Sequence, residues 1–112
     1  MSWPTELRLL KDKRVIRVSY EDGTSYDLPA EFLRVESPSA EVQGHSPKEK
    51  IIVTGKENVT ITALEPVGHY AVRILFDDGH NTGLYTWDYL RELGNGLNTI
   101  WKAYLSDRGR NA

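Results

Sequence analysis

At 112 residues the chain is one domain's worth of sequence, long enough to bury roughly 65% of its unfolded surface in a single core. Hydrophobic residues at 39% and charged residues at 27% exclude wholesale disorder, and a formal net charge of −2 argues against a general nucleic-acid-binding surface. With no cysteine there is no disulfide framework, no cysteine-based zinc site and no thiol nucleophile. No apolar run approaches the ~18 residues of a membrane span, and Met1-Ser2-Trp3-Pro4 does not begin a secretion leader, so a cytoplasmic protein with no membrane partner is expected.

Glu6 to Leu10 and Val15 to Tyr20 read as two short strands around the polar turn Lys11-Asp12-Lys13-Arg14. In the second, Ile16, Val18 and Tyr20 alternate with Arg17 and Ser19, the period of a half-buried strand. Asp22-Gly23 supplies a tight turn, Ser25 to Leu28 returns as a third strand, and Pro29 opens a short helix to about Val35. Ser37 to Lys50 is polar, with two prolines and a glycine, and reads as a long loop whose part from Gln43 to Lys50 is expected to be mobile.

Beyond it, Ile51 to Val53 and Val59 to Leu64 read as a strand pair turning at Gly55 to Asn58. Pro66-Val67-Gly68 then turns into the clearest strand, with Tyr70, Val72, Ile74 and Phe76 on one side and Val72, Ile74 and Phe76 expected in the central core with Leu33 and Leu90. Thr86 is placed to cap a helix stopped by Gly94; Asn98 is placed to cap a last helix carrying Leu97, Ile100, Trp101, Tyr104 and Leu105 on one face. The expected class is α+β: a two-layer sandwich, mainly antiparallel, with helices packed on one side. It forms a single domain over residues 1–112, with 94–112 a helical extension.

One feature exceeds this coarse pattern. Val18-Ser-Tyr-Glu-Asp-Gly23 matches Ile74-Leu-Phe-Asp-Asp-Gly79 at an offset of 56 residues. Glu31-Phe-Leu-Arg34 matches Asp88-Tyr-Leu-Arg91 at 57. A true repeat predicts two equivalent strand-turn-strand-helix units.

Candidate chemistry is sparse. His80 follows Asp77-Asp78-Gly79, but a calcium loop needs alternating oxygen ligands closed by a glutamate, and no histidine is followed two residues later by a carboxylate, as an iron triad needs. No G-x-S-x-G elbow, P-loop or dinucleotide fingerprint occurs, so no enzymatic activity and no cofactor are expected. A metal site built from His45, Asp78 and His80 is the alternative, since imidazoles with a carboxylate hold zinc or iron. The aromatic residues Trp87, Tyr89, Trp101 and Tyr104 fit a core first and a docking face second.

Several segments resemble the DUF971 family, the gamma-butyrobetaine hydroxylase-like N-terminal domain. They are Leu28-Pro-Ala-Glu-Phe-Leu-Arg34, Ser37-Pro-Ser-Ala-Glu-Val42, Glu65-Pro-Val-Gly68 and Phe76-Asp-Asp-Gly-His80 with Gly83-Leu-Tyr85 and Tyr89-Leu-Arg91. The resemblance implies a two-layer α/β sandwich. In eukaryotic members it implies a structural zinc on three cysteines and a histidine, at positions held here by Ser37, Ser39, Val42 and His80. Two hydroxyls and an isopropyl group cannot replace three thiolates, so a degenerate site without metal is expected. Ser37 to Val42 is then expected to be anchored near His80 by hydroxyl and apolar contacts. The catalytic barrel of those dioxygenases is absent from this sequence. The resemblance implies a small non-catalytic binding or adaptor domain; the alternative is an accessory to iron or iron–sulphur handling through His80 and His45. A protein partner is expected at Gln43, Gly44, His45 and His80, with the chain itself a monomer or weak homodimer.

Overall fold

The computed structural model describes residues 3–38 and 55–111, with side chains to residue 106. Strand β1 (Pro4–Leu9) pairs antiparallel with β2 (Val15–Tyr20), and β2 with β3 (Ser25–Pro29). Along β2, Ile16, Val18 and Tyr20 are buried while Arg17 and Ser19 are half-buried, as the alternating pattern requires. Pro29 ends β3 and precedes helix α1 (Ala30–Val35); its φ of −65° suits the helix start, where no backbone N–H is needed. Ala30, Phe32, Leu33 and Val35 of α1 turn inward.

A second set of the same elements follows. Strands β4 (Ile61–Val67), β5 (Ala71–Phe76) and β6 (Leu84–Thr86) form another antiparallel sheet in the order β4-β5-β6 and lead into helix α2 (Trp87–Asn95). Helix α3 (Leu97–Asn111) closes the chain. The α+β, antiparallel layout expected from the sequence is therefore the one adopted, with its strands divided between two sheets of three.

Local details differ from the pattern reading, each for a physical reason. Pro66 lies within β4, which as an edge strand can spare a donor, and the turn falls at Gly68 to Tyr70. Tyr70 consequently belongs to the turn and is 55% exposed, whereas Val72, Ile74 and Phe76 are buried as expected. Gly94 does not stop its helix. It lies one residue inside the end of α2, where a Cβ would stand 2.5 Å from the Tyr26 ring, and Gly96 is the C-cap. Asn98 falls in the first turn of α3, because that helix starts at Leu97. The expected strand at Ile51 to Val53 and the mobility expected of Gln43 to Lys50 lie outside the described residues.

The internal match extends through the backbone. Leu7 faces Val18 as Leu64 faces Ile74; Ile16 faces Leu28 as Val72 faces Tyr85. Even the irregularity is repeated: β1 shifts register between Pro4 and Glu6, and β4 between Ile61 and Ala63. Both Asp-Gly turns place glycine at positive φ, 86° at Gly23 and 88° at Gly79, a region open to glycine. In both, the aspartate accepts the backbone N–H two residues on: Asp22 from Thr24 at 2.9 Å and Asp78 from His80 at 3.0 Å. The fold is thus two β-β-β-α units, with α3 added at the end.

Their apolar faces meet in one core that includes Ile16, Val18, Leu28, Phe32 and Leu33 from the first unit and Ile61, Val72, Ile74, Phe76, Tyr85 and Leu90 from the second. Helix α3 lies against α1: the Trp101 ring meets Phe32 edge-on at 5.6 Å, and the Tyr104 hydroxyl donates to Glu31 at 2.9 Å. Trp101 and Tyr104 are packing residues of the fold, stacked on each other at 5.2 Å.

Candidate functional site

Three elements converge at the end of α1: the helix itself, the Asp-Gly turn after β5 and the start of β6. Ser37 is fully buried and His80 is 7% exposed. Ser37 Oγ and His80 Nε2 share a hydrogen bond of 2.9 Å. His80 follows Gly79, whose left-handed backbone folds the turn back on β5. Gly83 lies opposite; a Cβ there would stand 2.6 Å from Ser37 Oγ, so a side chain at 83 would expel the hydroxyl.

Asp78 organises the charged part. Its Oδ2 receives Arg34 Nε at 2.8 Å and Lys56 Nζ at 2.7 Å, and its Oδ1 receives the His80 backbone N–H. Although the turn's backbone is open to solvent, the Asp78 side chain is only 18% exposed and that of Arg34 only 12%. Burial by itself would raise the Asp78 pKa; the hydrogen bonds from Lys56, the His80 amide and Arg34 outweigh it and hold the carboxyl well below the usual range. Arg34 Nη1 is buried without a hydrogen-bond partner among the described residues. Two phenols complete the surroundings. Tyr85 donates to the Leu33 carbonyl and Tyr89 to the Glu36 carbonyl, satisfying two carbonyls at the end of α1. Desolvation pushes both phenols up, so both remain protonated donors.

Of the positions that the resemblance matched to zinc ligands, the structure describes Ser37 and His80, which are in contact. Ser39, Val42, Gln43, Gly44 and His45 lie outside the described residues. Sequence reading missed Arg34, Lys56, Tyr85 and Tyr89. The signal for Arg34 was present in its match with Arg91, but the matching does not say which aspartate each arginine meets. Each crosses to the other unit: Arg34 of the first binds Asp78 of the second, and Arg91 of the second binds Asp22 of the first at 3.2 Å. The two crossings are equivalent in position and unequal in burial, for Asp22 is 57% exposed.

The residues present do not fit a structural zinc. Ser37 supplies a hydroxyl, the Asp78 carboxylate is shared by two cations, and both would repel a divalent ion. Among the described residues no three histidine, cysteine or acidic side chains are grouped to hold a metal. Adding zinc to protein purified without a histidine tag is expected to leave its melting midpoint unchanged. Stoichiometric zinc in metal analysis would overturn this.

Comparison with known proteins identifies the family. The family described as "Gamma-butyrobetaine hydroxylase-like, N-terminal" matches residues 7–91. The chain belongs to this family. Solved structures similar to it include the following three. Two are NMR solution structures, one 48% identical with a TM-score of 0.82, covering 96% of this chain and 84% of that one. The other is 43% identical with a TM-score of 0.83, covering 100% and 84%. The third is the crystal structure of a DUF971-family protein of unknown function from Acidithiobacillus ferrooxidans, 47% identical, TM-score 0.66, covering 81% of this chain and 91% of that one. Among curated proteins none matches the sequence. Helix α3 lies beyond the matched residues 7–91.

Proposed function

We propose that the chain is a non-catalytic binding module that engages a protein partner on the face formed by His80 and the end of α1. The observation that carries this is how its polar groups are used. Arg34 and Asp78 join the two units, Lys56 pairs with Asp78, and Tyr85 and Tyr89 satisfy backbone carbonyls, a structural employment that leaves them poorly suited to serve as acid, base or nucleophile. The family's description, "Gamma-butyrobetaine hydroxylase-like, N-terminal", supports reading the domain as an accessory to a separate catalytic unit.

Gln43, Gly44 and His45 are included in the proposed contact on the strength of their chain proximity to Ser37. The test is a crosslinking experiment in cells, followed by reconstitution with the purified partner. Crosslinks at residues 43–45 or at Asn81 and Thr82, exposed beside the buried His80, and a complex weakened at least tenfold by His80→Ala in a folded variant, are expected. Crosslinks confined to another face, or turnover of a small metabolite by the purified chain, would overturn the proposal.

A further inference from the structure

The two units invite comparison position by position, and one corner differs in a way the core does not explain. Where each third strand enters its helix, the backbone is the same. The Ala30 N–H donates to the Arg14 carbonyl at 2.6 Å, and the Trp87 N–H to the Tyr70 carbonyl at 3.1 Å. The side chains diverge. In the first unit the corner presents Arg14, Pro29, Ala30 and Glu31, and Tyr104 of α3 places its hydroxyl on the Glu31 carboxylate. In the second unit the matching residues are Tyr70, Thr86, Trp87 and Asp88, and they line a cleft of about 170 Å³.

Three features give that cleft a chemical preference. Two of its four walls are aromatic, and the Trp87 indole is fixed in place because its Nε1–H donates to the His69 carbonyl at 2.7 Å. The third wall is Asp88, whose carboxylate makes no ion pair or hydrogen bond among the described residues. Thr86, the fourth, is already committed, its hydroxyl accepting the Tyr89 N–H as helix cap. Among the described residues that line it, none is basic. A carboxylate beside two aromatic rings attracts a cation, and the rings suit the methylenes that carry it. The volume matches a benzene-sized group, which a butylammonium chain approximates.

We propose that this cleft receives a lysine side chain of a protein partner, its ammonium set against Asp88 and the rings of Tyr70 and Trp87. Charge complementarity selects the occupant: the matching carboxylate in the first unit is met from within the chain by Tyr104, and this one is left for a group from outside. The surface is separate from the Ser37–His80 face and stands or falls independently of it.

The test is an NMR titration of the full, ¹⁵N-labelled chain with the capped peptide acetyl-Ala-Ala-Lys-Ala-Ala-amide. Controls are the same peptide acetylated on the lysine, and n-butylammonium. Saturable shifts are expected at the Trp87 indole N–H and the amides of Tyr70, Thr86 and Asp88, absent with the acetylated peptide. Affinity should fall roughly tenfold in Tyr70→Ala and in Asp88→Asn. Tyr70 and Asp88 are exposed, so both variants keep the parent spectrum elsewhere. The proposal fails if no saturable shift occurs, if the acetylated peptide binds equally, or if the variants bind as the parent does. It fails also if n-butylammonium binds as tightly as the peptide, since a free amine would then be the better occupant.

Discussion

Replacing Asp78 by alanine is expected to destabilise the chain by about 2–4 kcal/mol, somewhat less than the removal of one partner from a fully buried pair. The loss has two sources. Arg34, whose side chain is 12% exposed, surrenders the partner of its Nε while its Nη1 already lacks one, and the His80 amide loses its acceptor at the turn. Asp22→Ala removes the equivalent carboxylate of the other unit, yet Arg91 there lies 4.3 Å over the Tyr20 ring and the pair is open to water. Its effect on the melting midpoint should be small, because exposed pairs contribute little. Equal losses in the two variants would show that the burial difference does not govern the two crossings.

The same pair gives a pH dependence whose sign is fixed. Because the Asp78 pKa is depressed in the folded chain, its contribution is present above the unfolded carboxylate value of about 3.9 and is lost as pH falls below it. The parent should therefore lose more stability than Asp78→Asn between about pH 5 and pH 2 in urea denaturation. Parallel curves for the two would remove Asp78 as the cause.

Much of this arrangement was legible before any coordinates. The alternation Ile16, Val18, Tyr20 and the run Val72, Ile74, Phe76 specify inward faces through the period of two, and all six side chains are buried. The Asp-Gly pairs specify the turns because glycine alone enters the left-handed region without penalty, and their spacing exposed the repeat. What stayed hidden depends on contacts between units. Gly94 looked like a helix stop because local propensity cannot register the Tyr26 ring lying against it. Likewise the ion pair of Arg34 stayed hidden, since nothing near it in sequence announces Asp78.

The inequality of the two units shows how a site can arise from a repeat. At matched positions Tyr26 packs on Gly94 in one crossing, while Ser37 packs on Gly83 in the other. A ring against a glycine fills the first crossing, with the Tyr26 hydroxyl donating to Asn95. A hydroxyl against a glycine leaves the second polar enough for His80, which stands where the first has Thr24. The backbone repeats and the large and small partners exchange places. One crossing becomes a partly exposed ring seated on glycine, and the other becomes the buried polar junction of Ser37 and His80.

The second large effect is expected at Ile74. It occupies the middle of β5, is fully buried, and pairs across the sheet with Leu64. Alanine there removes three carbons from a core cluster containing Val72, Phe76, Leu33 and Leu90, none more than 3% exposed, so the surroundings cannot collapse onto the void without moving a sheet or a helix. The cost should be about 2–5 kcal/mol, the lost transfer energy plus the cavity left behind. Val18 is the matching residue of β2, also fully buried, and Val18→Ala should cost less because a smaller side chain is removed. Arg73→Ala, next along the strand, breaks only the Arg73–Glu65 contact at 3.4 Å and should have little effect. Urea denaturation checks all three, with an unchanged slope marking a change in stability rather than in the unfolded state. A loss below about 1 kcal/mol for Ile74→Ala, alongside a larger one for Arg73→Ala, would place the core on the opposite face of β5.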